Sequence, residues 1–338
     1  MLKAGLIGFG SISKAHRKGY WNLERMGKVK LTCAYDVNPE AFQKQVKNNL
    51  DDATKDPEEH LRFYTDLDEM LANEDIDFVD ICVPSYLHSK IAIDLLKRGY
   101  HVLCEKPMSL YSADCLQMIQ AAEEAKKELM IGQCLRFYPA FEHIKRVIEE
   151  KRYGAVLGAF FSRLSAPPTW GWNNWFADPD CSGGAITDLH IHDVDVTRYL
   201  FGEPEAVSCR ATSSFSAYDT VHSSLFYGDF PVTAIADWTH VGIPFRATCS
   251  IDFETATVTF DGSALMIYPK DGSGAETVPL ERCSGYQGEI SYFCDVIEGK
   301  TKNTRNPASS AATSVRLIEH LRQSADAKGQ IIPFSVDE

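Results

Sequence analysis

Gly8-Phe9-Gly10-Ser11-Ile12-Ser13 follows the short apolar run Leu2–Ile7 and opens an amphipathic stretch typical of a helix. A strand, a glycine turn and a helix in this order make up the dinucleotide-binding fingerprint. The first glycine permits the tight turn, and the second lets a pyrophosphate approach the N–H groups of the helix N-terminus. Ser13 replaces the usual third glycine or alanine and is small enough for close packing. We predict a nucleotide site at Gly8, Phe9, Gly10, Ser11 and Ile12, with a plain glycine turn as the alternative.

Asp36 follows the predicted second strand, Val29–Tyr35. An acid at this place hydrogen-bonds the ribose hydroxyls of NAD and repels the 2′-phosphate of NADP. The same residue could instead cap a helix that begins at Asn38-Pro39. We expect Asp36 to bind the cofactor and NAD to be preferred over NADP.

Short apolar runs alternate with amphipathic ones through the first third of the chain, which predicts a doubly wound α/β domain of the Rossmann type. After about Glu150 the runs become β-branched, aromatic and closely spaced, as in antiparallel strands, with one helix at about Gly183–Leu200. We therefore predict a Rossmann domain over residues 1–127 and a second, substrate-binding and oligomerisation domain over residues 128–338. The second domain is predicted to be α+β, with a large, mainly antiparallel open sheet. The polar segment Asn48–His60 is predicted to be a surface loop.

Composition excludes several classes of partner. Among 338 residues, acidic side chains exceed basic ones by 47 − 34 = 13, which disfavours nucleic acids and anionic membranes. The ten cysteines lie singly, mostly within apolar runs, so they resemble reduced core residues rather than a disulfide or zinc framework. The chain enters an apolar run at Leu2, and no stretch approaches 18 uninterrupted apolar residues. We expect a cytoplasmic protein.

Two further motifs end predicted strands. Pro84 and His88 follow the fourth strand, and Glu105-Lys106-Pro107 ends the fifth. Ligands of open α/β sheets bind beyond the carboxyl ends of the strands, so both motifs should lie near the glycine turn. A lysine there can donate to a hydroxyl or carbonyl oxygen of a substrate. The alternative for Lys106 is a solvated loop residue paired with Glu105.

Asp188 and His192 are four residues apart on the predicted helix and would share one face. This spacing suits a histidine general base oriented by a carboxylate. His190 lies about 200° around the helix from Asp188 and could face the sheet instead. His190, His192 and the nearby acids also resemble a zinc or manganese cluster, but residues two apart on a helix do not face each other, and we predict no metal.

A tryptophan-rich segment precedes this helix. Trp170, Trp172 and Trp175 could pack on the apolar face of a sugar, and Asn173 could bind its hydroxyls. The alternative is an aromatic plug or an oligomer contact. The basic residues expected near the pocket are Lys106, Arg136 and Arg163, with Arg163 on the substrate side, which favours a neutral sugar or polyol over a phosphorylated one.

Together these motifs resemble the glucose-fructose oxidoreductase/inositol dehydrogenase/MocA family over nearly the whole chain. The residues that carry the resemblance are Gly8-Phe9-Gly10 with His16, Pro84 with His88, Glu105-Lys106-Pro107, Arg136-Phe137, and Gly183-Gly184 followed by Asp188 and His192. The resemblance implies NAD(P)-dependent oxidation or reduction of sugars and polyols. It implies Lys106, Asp188 and His192 as the catalytic group, and we place Pro84, His88, Glu105, Lys106 and Arg136 with the cofactor ligands. It also implies assembly through the open sheet, as a homodimer or homotetramer.

The predicted function is an NAD-dependent dehydrogenase of a sugar or polyol. Two alternatives remain open. One is an NAD-dependent glycosidase that acts by transient oxidation and elimination, and the other is a non-catalytic NAD-binding sensor.

Overall fold

Six parallel strands form the first sheet of the computed structural model, which describes residues 1–43, 61–281 and 283–336. Their order, β3-β2-β1-β4-β5-β6, reverses direction at β1, as in a doubly wound domain. The strands are β1 (Leu2–Ile7), β2 (Val29–Tyr35), β3 (Arg62–Tyr64), β4 (Phe78–Ile81), β5 (His101–Glu105) and β6 (Leu129–Gly132). Sequence reasoning missed β3, because three partly exposed residues carry no hydrophobic period. The predicted loop Asn48–His60 lies outside the described residues.

Nine strands form the second sheet, in the order β14-β13-β12-β11-β7-β10-β9-β8-β15. They are β7 (Val156–Leu164), β8 (Ala206–Thr212), β9 (Thr220–Tyr227), β10 (Phe230–Asp237), β11 (Arg246–Phe253), β12 (Ala256–Phe260), β13 (Leu265–Pro269), β14 (Glu276–Val278) and β15 (Ile332–Pro333). Only β7 and β10 pair in parallel, so the sheet is mixed and mainly antiparallel. This confirms the predicted fold class.

The helices follow the periodic stretches of the sequence. They are α1 (Ser13–Arg25), α2 (Leu67–Asn73), α3 (His88–Lys97), α4 (Ser112–Ala125), α5 (Pro139–Glu149), α6 (Pro179–Ser182), α7 (Gly184–Asp188), α8 (Ile191–Phe201), α9 (Gly285–Ile297) and α10 (Ala308–Asp326). No helix of the described part of the chain is long and apolar enough to cross a membrane.

The chain divides into two compact units, at boundaries that differ from the predicted division at residue 127. The first unit comprises Met1–Phe137, Trp170–Trp175 and Ser284–Ala312, and the second comprises Tyr138–Thr169, Phe176–Cys283 and Thr313–Glu338. The first unit extends past residue 127 because β6 completes its sheet, with Leu129 opposite Val102. It also recruits α9, which packs on α1 so closely that a Cβ on Gly19 would lie 3.2 Å from Ile290 Cδ1.

Each unit has its own core. In the first, Leu6, Phe78 and Leu103 of the sheet are fully buried together with Phe293 of α9. In the second sheet, one face is buried and the other is partly open. Side chains that lie opposite one another on neighbouring strands form rows across the sheet. One row is buried and consists of Phe161, Cys249, Ala234 and Phe260, whereas the neighbouring row through Phe160 is not buried.

Candidate active site

The turn after β1 has the geometry that a bound pyrophosphate requires. Gly8 has φ of 95°, and a Cβ there would lie 2.8 Å from the carbonyl oxygen of Cys82. Gly10 is exposed, and a Cβ on it would meet nothing within 4 Å. The first turn of α1 holds no acidic residue, so its N–H groups and positive dipole end are not neutralised locally. Ser13, at the position of the usual third glycine, is buried, and its hydroxyl donates to Gly10 O at 2.7 Å.

Asp36 is joined to this turn. Its Oδ2 accepts the peptide N–H of Phe9 at 2.8 Å, and its Oδ1 accepts that of Asn38 at 2.8 Å. The alternative role as a helix cap belongs to Asn38, whose side chain caps the short 3₁₀ helix Pro39–Phe42. The Asp36 side chain is half-buried at the end of β2, so the glycine turn and a partly exposed carboxylate lie next to each other. These residues fit the phosphates and ribose of a dinucleotide.

His88 binds the two predicted motifs to each other. Its Nδ1 is 2.7 Å from Pro107 O, and its Nε2 is 2.9 Å from Val83 O, next to Pro84. Burial lowers the pKa of His88, and the two carbonyl contacts only partly offset this. The predicted cofactor ligand His88 therefore holds the loops after β4 and β5 in place from the inside.

Lys106 is the partly exposed member of its motif. Every residue from 102 to 110 is buried except Lys106, which is half-buried. Its peptide N–H donates to Oε2 of Glu105 at 3.1 Å. Glu105 was predicted to bind the cofactor, but its side chain is buried against His16, so its nearest partners are internal.

Sequence reasoning missed a buried group of ionisable side chains around this glutamate, namely His16, Asp80 and Glu289. Of these three residues, only His16 is included in the sequence analysis, as part of the family resemblance. One signal was present: Asp80 is a charged residue within the otherwise apolar strand Phe78–Ile81. Glu289 could not be found in this way, because α9 is distant in sequence from β4 and β5.

Two arginines predicted to face ligands have structural partners instead. Arg136 is buried and donates to Arg305 O at 2.9 Å and to Ser310 Oγ at 2.8 Å. Arg163 forms a buried, two-pronged ion pair with Asp193, at 3.1 and 2.9 Å. Guanidinium groups are favoured in such pairs because their planar fork matches a carboxylate.

In the second unit, the predicted single helix carrying Asp188 and His192 is divided. α7 ends at Asp188, and α8 begins at Ile191. The N–H groups of Leu189 and His190 both donate to Ala185 O, at 2.9 and 2.8 Å, so one extra residue enters the turn. The prediction of one continuous helix was therefore wrong, and the four-residue spacing argument had assumed such a helix. Nevertheless, from Ser182 to Arg198 every residue is buried except Asp188 and His192.

His190 faces the sheet, as one of the predicted possibilities had it. Its Nε2 is 2.8 Å from Ser223 Oγ on β9, and its side chain is fully buried. Burial lowers the pKa of His190 to about 3, and the nearby Arg163 charge contributes. A neutral, buried His190 serves the packing of α7 and α8 on the sheet.

The tryptophan-rich segment belongs to the first unit by its contacts. Trp170 and Trp175 are half-buried, whereas Trp172 and Asn173 are exposed. Asn173 and Asn174 have φ of 50° and 53°, in the left-handed region that asparagine tolerates better than most residues.

Two named enzymes are similar to this chain in sequence. The chain is 31% identical over 205 residues to myo-inositol 2-dehydrogenase of Thermotoga maritima, which covers 60% of this chain and 55% of that protein. It is 29% identical over 217 residues to 2,7-anhydro-N-acetylneuraminate hydratase of Escherichia coli, covering 62% of this chain and 52% of the hydratase. The matched region thus spans about half the length of these relatives.

The same fold occurs in solved structures. Levoglucosan dehydrogenase in complex with NADH and levoglucosan superposes with a TM-score of 0.81 at 21% identity, covering 98% of this chain and 99% of that one. At this identity the likeness establishes the fold. Family models match both halves of the sequence: an NAD-binding Rossmann fold of an oxidoreductase family at residues 2–133 and a GFO/IDH/MocA C-terminal domain at residues 141–275. The chain therefore belongs to the GFO/IDH/MocA oxidoreductase family.

Proposed function

We propose that this protein is an NAD-dependent dehydrogenase that oxidises a hydroxyl carbon of a neutral sugar or polyol, or reduces the corresponding ketone. The observation that carries this proposal is the Gly8–Gly10 turn with Asp36 bound to Phe9. The half-exposed Lys106 at the end of β5 supplies the chemical group that such a reaction needs. Sugar and polyol dehydrogenases among the relatives support the substrate class.

NAD is the proposed cofactor, and when bound it accepts the hydride. Asp36 supports the choice of NAD over NADP, because an ionised carboxylate beside the ribose repels a 2′-phosphate. The N–H groups at the start of α1 bind the pyrophosphate, and the open space around Gly10 admits it. Pro84 lies on the adjoining loop, where His88 fixes the backbone from within.

Proton transfer is assigned to Lys106, Asp188 and His192. Lys106 donates a hydrogen bond to the reacting oxygen and stabilises the negative charge that develops there. His192 accepts the hydroxyl proton as the general base, and Asp188 orients the imidazole. Their partial exposure in an otherwise buried stretch supports these roles, since a residue that meets substrate must be reachable. In the opposite direction His192 returns the proton.

The substrate side includes Trp170, Trp172, Asn173 and Trp175. The exposed indole ring of Trp172 and the half-buried rings of Trp170 and Trp175 suit the C–H face of a sugar, and the amide of Asn173 suits its hydroxyls. Arg163 and Arg136 are occupied by internal partners, which removes two cations that could bind a phosphorylated sugar. This supports the proposal of a neutral substrate.

Transient oxidation followed by elimination remains a second candidate, favoured by the anhydro-sugar hydratase among the relatives. Such an enzyme converts its substrate without net accumulation of NADH. A non-catalytic NAD sensor is the third candidate function. The partly exposed Lys106, Asp188 and His192 disfavour it, because a sensor needs no acid–base group.

Assembly as a homodimer or homotetramer through the second sheet is also proposed. One row of side chains runs across its less buried face, and none of its members is fully buried: Met266, Thr259, Ser250, Phe160, Thr233, Ser224 and Ser208. We further propose a cytoplasmic location, supported by ten cysteines that form no disulfide within the described part of the chain.

A substrate screen tests the proposal. The purified protein is incubated with NAD or NADP and a panel of sugars, inositols and anhydro-sugars, with NADH absorbance and product analysis read in parallel. NADH formation with at least one neutral polyol or sugar is the expected result. Product formation without net NADH would support the elimination reaction. Tight NAD binding with no conversion of any compound would favour the sensor.

A further inference from the structure

A buried histidine links the phosphate-binding helix to two strands. His16 lies one turn into α1, and its side chain is fully buried. Its Nδ1 is 2.8 Å from Asp80 Oδ2 on β4, and its Nε2 is 2.8 Å from Glu105 Oε1 on β5. Ionised carboxylates only accept hydrogen bonds, so both ring nitrogens must carry a proton. The geometry is that of an imidazolium held between two acids.

The electrostatics agree with this protonation state. Burial lowers the pKa of His16, but the charge of Asp80, its hydrogen bond and the neighbouring Cys82 together outweigh burial and raise the pKa well above the usual value. Burial raises the pKa of Glu105, whereas its hydrogen bond and attraction to His16 and the charge of Lys106 bring it below the usual value. At neutral pH His16 is therefore charged, and Glu105 is ionised beside it.

A third acid faces the same ring from α9. Glu289 is fully buried, its Oε1 lies 3.9 Å from His16 Nε2, and neither of its oxygens has a hydrogen-bond partner among the described residues. Burial raises the pKa of Glu289 well above its usual value, with only partial relief from His16. One imidazolium cannot balance three buried carboxylates, so Glu289 holds a proton.

Two tyrosines and a thiol also border this cluster. Tyr20 donates to Asp80 Oδ2 at 2.9 Å, and the ring of Tyr286 on α9 is 5.4 Å from that of His16. Burial raises the pKa of the Cys82 thiol, which lies 3.8 Å from Asp80 Oδ1. A separation of 2.8 Å between His16 and each acid is a hydrogen-bond distance. Ligands around a tetrahedral zinc at about 2.0–2.2 Å lie roughly 3.3 Å or more apart. Protons therefore hold this cluster together.

We propose that His16 is a positioning residue for Lys106, and that Glu289 keeps the remaining proton of the network. One oxygen of Glu105 is fixed by His16, and the other accepts the peptide N–H of Lys106 at 3.1 Å. Through Glu105, the His16 imidazolium thus fixes the position of the Lys106 backbone, from which the Lys106 side chain projects. It also ties that backbone to the helix of the phosphate-binding turn. The proposal rests on the proposed function only through the role of Lys106.

Three variants test this role. His16→Gln can donate to only one of the two acids, and we expect kcat to fall about 10- to 100-fold with the Kd for NAD changed less than about 3-fold. Asp80→Asn keeps an acceptor oxygen but removes the charge that retains the His16 proton. We expect a new limb in its pH profile, with kcat falling as pH rises, that the unaltered protein lacks. Asp75→Asn, whose side chain is 97% exposed, is the matched control with an unchanged profile.

Spectroscopy tests the network without any turnover, so its outcome does not depend on the proposed reaction. In ¹⁵N-histidine spectra we expect one doubly protonated ring at neutral and mildly alkaline pH that is absent in His16→Gln. In infrared spectra we expect the carbonyl band of a protonated carboxyl group that is absent in Glu289→Gln. A neutral His16 ring, stoichiometric zinc or manganese in the purified protein, or wild-type pH profiles in both the His16 and Asp80 variants would each overturn the proposal.

Discussion

The peptide N–H of Phe9 donates to the carboxylate of Asp36 at 2.8 Å, which joins the glycine turn after β1 to the end of β2. The acid is thereby oriented before any ligand arrives, with its side chain still partly exposed. Preorganisation of this kind lowers the entropy lost on binding. In the proposed function, this carboxylate therefore selects NAD over NADP at the ribose.

Replacing the carboxylate should change cofactor preference. In Asp36→Ser the negative charge is lost while a short hydroxyl can still accept a hydrogen bond. We expect the KM for NAD to rise about 10-fold and the preference for NAD over NADP to fall by about 10-fold or more, since like-charge repulsion is removed. Steady-state kinetics with both cofactors measure this, and a strong NADP preference of the unaltered protein would contradict it.

The two glycines of the turn should respond differently. Gly10→Ala adds a methyl group into open space, so we expect a change in unfolding free energy of less than about 1 kcal/mol but at least about 10-fold weaker NAD binding. In Gly8→Ala the added methyl group meets the Cys82 carbonyl, and the φ of 95° is strained for alanine. We expect the free energy of unfolding to fall by about 1–3 kcal/mol. Denaturant unfolding and NAD fluorescence titration separate the effects. Equal loss of stability in both variants would contradict the assignment of Gly10 to the ligand.

Lys106 should affect turnover more than binding. In Lys106→Ala the donor to the reacting oxygen is lost, and we expect kcat to fall about 100- to 1000-fold with the Kd for NAD within about 3-fold. Lys97→Ala on α3, an exposed lysine, is the control. Parallel losses in kcat and NAD affinity would show that Lys106 binds the cofactor without taking part in the reaction.

The proposed general base should be identified by its effect on the rate. For His192→Ala we expect a fall in kcat of about 100- to 10,000-fold, and for Asp188→Asn a smaller one, because orientation alone is lost. NAD binding should be retained in both. His222→Ala, an exposed histidine on β9, is the control. Wild-type kcat in His192→Ala would remove this residue from the reaction.

His190 should make the protein sensitive to acid. Its folded-state pKa is about 3 while that of an unfolded histidine is near 6.5, so the unfolded state binds the additional proton. Its contribution therefore lowers stability as pH falls from about 6.5 towards 3, with a slope of up to about 1.4 kcal/mol per pH unit. Urea unfolding of His190→Gln across this range should show a shallower decline. An unchanged slope would mean that His190 is already charged in the fold.

Local sequence patterns were sufficient to predict much of the fold. Strand–turn–helix periodicity predicted the Rossmann sheet and the glycine turn, and closely spaced β-branched runs predicted the second sheet. Lys106 and Asp36 could be proposed as site residues because each follows directly on a strand end, where ligands of this fold class bind. These features depend on neighbours within a few residues, which the sequence displays.

Tertiary structure decided what depends on partners far away in the chain. Arg136 and Arg163 were predicted to bind ligands. In the folded chain, Arg136 donates to Ser310 and Arg163 pairs with Asp193. The helix that carries Asp188 and His192 is interrupted between α7 and α8, and residue spacing alone does not reveal this break. Glu289 reaches His16 only because α9 returns to pack on α1. The sequence alone therefore determined most strands of the two sheets and the glycine turn, since hydrophobic period and glycine chemistry act locally. Only the folded chain determined which charged groups are buried together, because burial and charge pairing arise from contacts between distant segments.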